Sequence, residues 1–192
     1  MSSVTRKHVV VVHGSYGNPT ENWFPWLAEQ VQSYGHSVTI PALPTPAGQS
    51  IDAWKRAFRE QVGSLTANML LVGHSMGVGF ALRLLEESEQ EVVGTFLAAG
   101  FIGALGLPDY DPINATFFAR PFDWHKIRQN AGRVYVYAGD NDPYVPVERT
   151  NEIAHHLATT LQVIPGGGHL NAETGFVTFP QMWEEIKPLL AG

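Results

Sequence analysis

Three side chains in this sequence have the types and surroundings that nucleophilic acyl transfer requires: Ser75, Asp142 and His169. Ser75 is the centre of Gly73-His74-Ser75-Met76-Gly77, a G-x-S-x-G pattern. In that pattern the serine occupies a tight, strained strand-to-helix turn, and the flanking glycines let strand and helix approach each other. The turn lifts the hydroxyl above the sheet and aims the N-terminus of the next helix at the reacting centre. The pattern carries weight only with a strand before it and a helix after it. Residues 68–72 read as the strand and 78–85 as the helix, so both conditions hold.

A serine hydroxyl needs a base, and the base needs an orienting acid. In α/β hydrolases the chain order is Ser, acid, His. After the fifth apolar run comes Gly139-Asp140-Asn141-Asp142-Pro143-Tyr144-Val145-Pro146, at the sheet edge that carries Ser75. Two carboxylates compete there. Asp142 is favoured because Pro143 and Pro146 stiffen its loop ahead of a helix, whereas Asp140 reads as a turn or cap residue. His169 follows Pro165-Gly166-Gly167-Gly168, whose glycines let the backbone turn back over the sheet edge. Among the other histidines, His155 and His156 fall within a helical pattern, and His36 and His125 have no catalytic motif around them. No Gly-Lys-Ser/Thr follows the glycines, so they are not a phosphate cradle of the P-loop kind. His169 would take the Ser75 proton and return it to the leaving group. Asp142 would fix the imidazole tautomer, and water would hydrolyse the acyl-enzyme.

The oxyanion of such a reaction needs two N–H donors. One is expected from Met76, after the nucleophile, and the other from Ser15, in His13-Gly14-Ser15-Tyr16-Gly17 behind the first apolar run. His13 is expected to support that loop. The segment lacks the G-x-G-x-x-G turn of a dinucleotide site. Tyr16, Trp23, Phe101 and Phe118 are expected to wall the acyl pocket, with core packing as the competing role for Trp23 and Phe101. No cofactor and no metal site is expected.

The elements that must position these residues follow from the hydrophobic pattern. Apolar runs at 8–12, 37–40, 68–72, 92–98, 133–138 and 161–164 alternate with helical stretches at 22–34, 51–62, 76–87, 147–157 and 180–190, with a short helix at 123–130. Several runs are apolar at nearly every position, as in parallel strands covered on both faces. The alternation predicts a three-layer α/β domain over 1–192, with about six parallel strands, helices on both faces and no large cap. Residues 41–48 carry three prolines and read as a loop. Residues 100–122 form a longer excursion between the fourth and fifth strands, too short for a cap domain but able to supply apolar walls.

A chain of 192 residues can bury a full core, and without cysteine it has no disulfide, thiolate nucleophile or Cys-based zinc site. The net charge of −6 argues against nucleic acid or an anionic membrane as partner. The Arg6-Lys7 pair precedes only four valines, far short of a signal-peptide core. A soluble, cytoplasmic protein acting on a small-molecule acyl substrate is expected, with the oligomeric state open.

The sequence resembles the small serine hydrolases that include bacterial YdeN-like proteins and the retinoblastoma-binding serine hydrolases. The likeness spans nearly the whole chain. It rests on Val11-Val12-His13-Gly14, Asn22-Trp23-Phe24-Pro25-Trp26-Leu27, the Ser75 motif, Phe122-Asp123-Trp124-His125-Lys126-Ile127, Asp142-Pro143-Tyr144-Val145-Pro146 and Gly167-Gly168-His169. It implies a compact α/β-hydrolase core, a triad on Ser75, Asp142 and His169, and no cofactor. The motif by which the namesake branch engages a retinoblastoma-type partner contains cysteine, so that partner is not implied here. Two other readings stay open on sequence: a non-catalytic binding module on this scaffold, and an acyltransferase or perhydrolase using the same triad.

Overall fold

A computed structural model describes residues 6–191; the domain expected over 1–192 runs past them at both ends. The apolar runs become β1 (His8–Val12), β2 (Ser37–Thr39), β3 (Met69–His74), β4 (Gly94–Ala98), β5 (Arg133–Gly139) and β6 (Leu161–Ile164). They form one sheet in the order β2-β1-β3-β4-β5-β6, and every neighbouring pair is parallel. Between them run α1 (Phe24–Ser33), α2 (Ile51–Gln61), α3 (Met76–Glu87), α4 (Asp111–Asn114), α5 (Trp124–Asn130) and α6 (Val147–His156), and α7 (Pro180–Leu190) follows β6. This is the three-layer α/β-hydrolase architecture that the strand–helix alternation predicts.

The unbroken valines of β1 show why the strands lack polar alternation. Val9 and Val11 pack with Trp23, with Phe24 and Leu27 of α1, and with Met182 and Ile186 of α7. Val10 and Val12 face the other way, onto Trp54 and Phe58 of α2 and Val78 and Phe80 of α3. All four are fully buried, and each such side chain contributes about 1.5–3 kcal/mol of transfer free energy. Helix starts are marked locally. The Ser50 side chain accepts the Ala53 N–H ahead of α2, and Asp123 accepts the Lys126 N–H at the head of α5.

From β1 the chain first builds outward to β2, then returns past β1 to β3 and continues the other way. The crevice above β1 and β3 is therefore the switch point at which parallel sheets bind ligands. The loops that leave Val12 and His74 both open into it.

The excursion at 100–122 holds more order than its prolines and glycines suggest. It contains α4 and a 3-10 turn at Ala115–Phe118, pieces too short to show a hydrophobic period. The Asp111 carboxylate accepts the N–H groups of Leu105, Gly106 and Leu107 and so closes the preceding loop. Arg83 of α3 ties the far end down, donating to the carbonyls of Phe117, Arg120 and Pro121. Among the described residues no helix is long and apolar enough to cross a membrane.

Candidate active site

Ser75 sits between β3 and α3 with φ 55° and ψ −125°, the left-handed side of backbone space. For a residue with a Cβ this conformation costs about 1–3 kcal/mol, and it persists only where the surroundings impose it. Here the Ser75 N–H donates to the Ala98 carbonyl at 2.9 Å, and the Val78 N–H donates to the Ser75 carbonyl at 3.0 Å. Gly77 makes the turn possible, because a Cβ there would collide with the Val12 carbonyl at the end of β1. From residue 69 to residue 83 every position is buried except Ser75.

Two loops beyond the sheet edge interlock residue by residue. Asp140 accepts the Gly166 N–H at 2.7 Å, Asn141 accepts the Gly168 N–H at 2.7 Å, and Asp142 Oδ2 meets His169 Nδ1 at 2.7 Å. Asp142 Oδ1 is itself held by the N–H groups of Tyr144 and Val145, at 2.8 and 3.0 Å. The carboxylate that faces the imidazole is thus Asp142, and Asp140 does what a turn residue does. The Asp142 side chain is 2% exposed and that of His169 10%.

Two further histidines brace the site. The Nε2 of His74 must donate to the His169 carbonyl, at 2.9 Å, which pins the backbone of that residue. Complete burial, followed by the neighbouring His169, pushes the His74 pKa down to about 3, so its ring is neutral at any ordinary pH. His13 has the opposite tautomer. Its Nε2 accepts the Leu43 N–H at 3.1 Å, so Nδ1 carries the proton and donates to the Gly14 carbonyl at 2.8 Å. Burial lowers the His13 pKa as well. His13 supports its loop and does not line the cavity.

Ser75 and His169 open into a cavity of about 300 Å³. Ser15 and Met76 line it beside them, with Met76 at the first position of α3, where helical N–H groups have no intrahelical partner. The Tyr16 N–H is already engaged by Thr45 Oγ1 at 2.6 Å, which distinguishes it from Ser15 as a donor. Tyr16 lines the mouth as a half-exposed ring, 5.2 Å from that of Tyr110, and Phe101 forms the inner apolar wall.

Two expected wall residues lie elsewhere. Trp23 is fully buried under the sheet edge against Phe24, His74 and Phe179, and its indole N–H donates to the Leu170 carbonyl at 3.0 Å. It props the His169 loop through that hydrogen bond and does not line the Ser75 cavity. Phe118 lies behind Phe101 and lines an outer groove with Phe122 and Trp124, because the 3-10 turn sends Phe117 into the core and Phe118 outward. Sequence reasoning missed Leu105, Leu107, Asn114 and Tyr144 as lining residues, and Glu21 and Glu173 at the rim. The Asp142-Pro143-Tyr144 run and the excursion were signals for the first four; nothing marked the two glutamates. Among the described residues no three His, Asp or Glu side chains converge as metal ligands would.

The model of the family described as Serine hydrolase matches residues 9–188. The protein YdeN of Bacillus subtilis is 29% identical over 182 residues, 94% of each chain. The serine hydrolase RBBP9 of Rattus norvegicus is 25% identical over 170 residues, 88% of this chain and 89% of its own. The crystal structure of the Bacillus subtilis ydeN gene product superposes with a TM-score of 0.88 at 27% identity, covering 97% of this chain and all of that one.

Proposed function

Because the chain belongs to the serine hydrolase family, we propose that it is a carboxylesterase working through Ser75, His169 and Asp142 on small esters. The observation that carries the reading is the 2.7 Å contact of His169 Nδ1 with a buried Asp142 carboxylate, in the wall of the cavity to which the strained Ser75 turn points.

With Nδ1 bound to Asp142, the lone pair of His169 lies on Nε2, on the far side of the ring. Nε2 takes the Ser75 proton as Oγ attacks the ester carbonyl carbon. The carbonyl π pair moves onto oxygen, and the N–H groups of Met76 and Ser15 receive that oxyanion. Collapse of the tetrahedral adduct breaks the bond to the alkoxide, which leaves with the proton from Nε2. A water molecule then gives its proton to Nε2 and its oxygen to the acyl carbon, and Ser75 regains its hydrogen as the acid departs. Each step balances with serine and water alone, so no cofactor is invoked. The proposed substrate is a small acyl compound and the proposed setting the cytoplasm; the net charge of −6 argues against nucleic acid or an anionic membrane surface as partner.

A cavity of about 300 Å³ is at the low end for small-molecule sites. Phe101, Leu105, Leu107 and Val145 supply its apolar surface, and each methylene buried there contributes about 0.8 kcal/mol until the space is filled. In a series of p-nitrophenyl esters, kcat/KM is therefore expected to peak at acids of roughly two to six carbons and to vanish in Ser75→Ala. A rise continuing to long-chain acids, or turnover surviving in Ser75→Ala, would contradict the proposal.

A further inference from the structure

Ser15, Gln49 and Asn114 close a ring of hydrogen bonds beside the nucleophile. Ser15 Oγ donates to Asn114 Oδ1 at 2.7 Å, and Gln49 Nε2 donates to both Ser15 Oγ and Asn114 Oδ1, at 2.8 and 2.7 Å. The three come from distant parts of the chain: the loop after β1, the residue before the cap of α2, and the end of α4. Gln49 is 9% exposed and Asn114 2%, and their remaining amide atoms, Gln49 Oε1 and Asn114 Nδ2, are buried with no partner among the described residues. Leaving such atoms unpaired costs stability, and apolar side chains of similar shape would avoid the cost. A polar ring kept at that cost, with Ser15 and Asn114 in the cavity wall, marks a site selected for something other than stability.

The neighbours of Ser15 are fixed by other means. Gly14 is packed so closely on the nucleophile that a Cβ there would lie 2.8 Å from Ser75 Cβ and 3.2 Å from Ser75 Oγ. His13 grips the Gly14 carbonyl, and Thr45 Oγ1 holds the Tyr16 N–H. Among the described residues, the Ser15 side chain is anchored by the ring with Gln49 and Asn114 alone.

We propose that Asn114, together with Gln49, is a positioning residue that aims the Ser15 N–H at the oxyanion, acting through the Ser15 hydroxyl. The inference rests on the serine-esterase reading above. Its energetic basis is directional: a hydrogen bond weakens steeply as its angle falls below about 120°. Full loss of one oxyanion donor lowers kcat about 10²–10³-fold, so a misaimed donor should cost part of that.

The test compares wild type with Ser15→Ala, Asn114→Leu and the double variant. Ser15→Ala removes a single oxygen and keeps the backbone N–H, so it remains folded whatever happens to the others. Each single variant is expected to lower kcat roughly 10- to 100-fold with KM within about twofold. Affinity for an alkylboronic acid, whose tetrahedral adduct places an oxygen at the oxyanion position, should fall in step with kcat. The double variant should be no worse than the more affected single one, since both changes break the same link. Asn114→Leu is expected to lower the melting temperature, because it strands the Ser15 hydroxyl and Gln49 Nε2 donors, so its kinetics are read at a temperature where circular dichroism shows it fully folded. Unchanged kcat and boronate affinity in Ser15→Ala, or multiplicative losses in the double variant, would overturn the inference. Those results with an active wild type would leave the esterase reading standing; a wild type without esterase activity would remove both.

Discussion

At the scale of single residues, the chemistry depends on which groups touch and in which protonation state. Asp142 receives two backbone N–H groups on one oxygen and faces His169 with the other, while Asp140, in an exposed turn, binds the Gly166 N–H. Asp142→Asn should therefore lower kcat about 10³–10⁴-fold by favouring the wrong imidazole tautomer. Asp140→Asn should cost far less, and steady-state kinetics on one short ester decides between them; equal losses would contradict the assignment. His74 makes a separate prediction. Its pKa is about 3 in the folded protein against the ordinary 6.5. Between those values the unfolded chain binds a proton that the folded protein refuses. The stability tied to this neutral ring is thus complete above about 6.5 and is lost progressively as pH falls toward 3. The His169 carbonyl and the Asp142 carboxylate oppose the shift, and the His169 and His13 rings reinforce it. His74→Gln keeps a donor for the His169 carbonyl but cannot titrate, so urea unfolding between pH 6.5 and 4 should show a shallower loss of stability than wild type. An identical slope would contradict the burial argument.

At the scale of elements, the site exists because β1, β3 and β5 end at one edge and because the excursion at 100–122 is anchored to α3. The anchor is a buried charge cluster. Arg83 and Glu86 pair at 2.9 Å with side chains only 2% and 5% exposed, and the guanidinium lies 3.7 Å from the centre of the Phe122 ring. Burial raises the Glu86 pKa, but Arg120, the Asp123 N–H and Arg83 outweigh it and hold the carboxyl below its usual value. Removing one member of a buried pair strands the other. Arg83→Met should cost on the order of 3 kcal/mol in urea unfolding, while Glu87→Gln, which touches only the exposed pairs with Lys55 and Arg120, should cost under about 1 kcal/mol. Similar small losses in both would mean the cluster is not an anchor. These elements also show what could be read beforehand. The strands, the Ser75 turn and the acid–histidine loops carry local signatures of apolar runs and glycine spacing, and those follow from backbone constraints. The pocket walls do not. Trp23 and Phe118 have the same aromatic character as Phe101, and only the direction in which a short turn sends each ring separates wall from core. Asn114 likewise sits in a four-residue helix with no period, and its partners Ser15 and Gln49 are brought to it by tertiary packing alone.

At the scale of the whole molecule, one parallel sheet holds two apolar layers rigid and leaves a single strained serine above its switch point. Family membership and fold fix the class of chemistry; the nucleophile is the claim on which the rest stands. The most direct measurement is to label the intact protein with a fluorophosphonate probe and locate the adduct by peptide mass spectrometry. One adduct per chain is expected, on Ser75, and none on Ser75→Ala although that variant keeps its fold. No adduct on the wild-type protein, or an adduct on another residue such as Ser15, would contradict the assignment of the nucleophile.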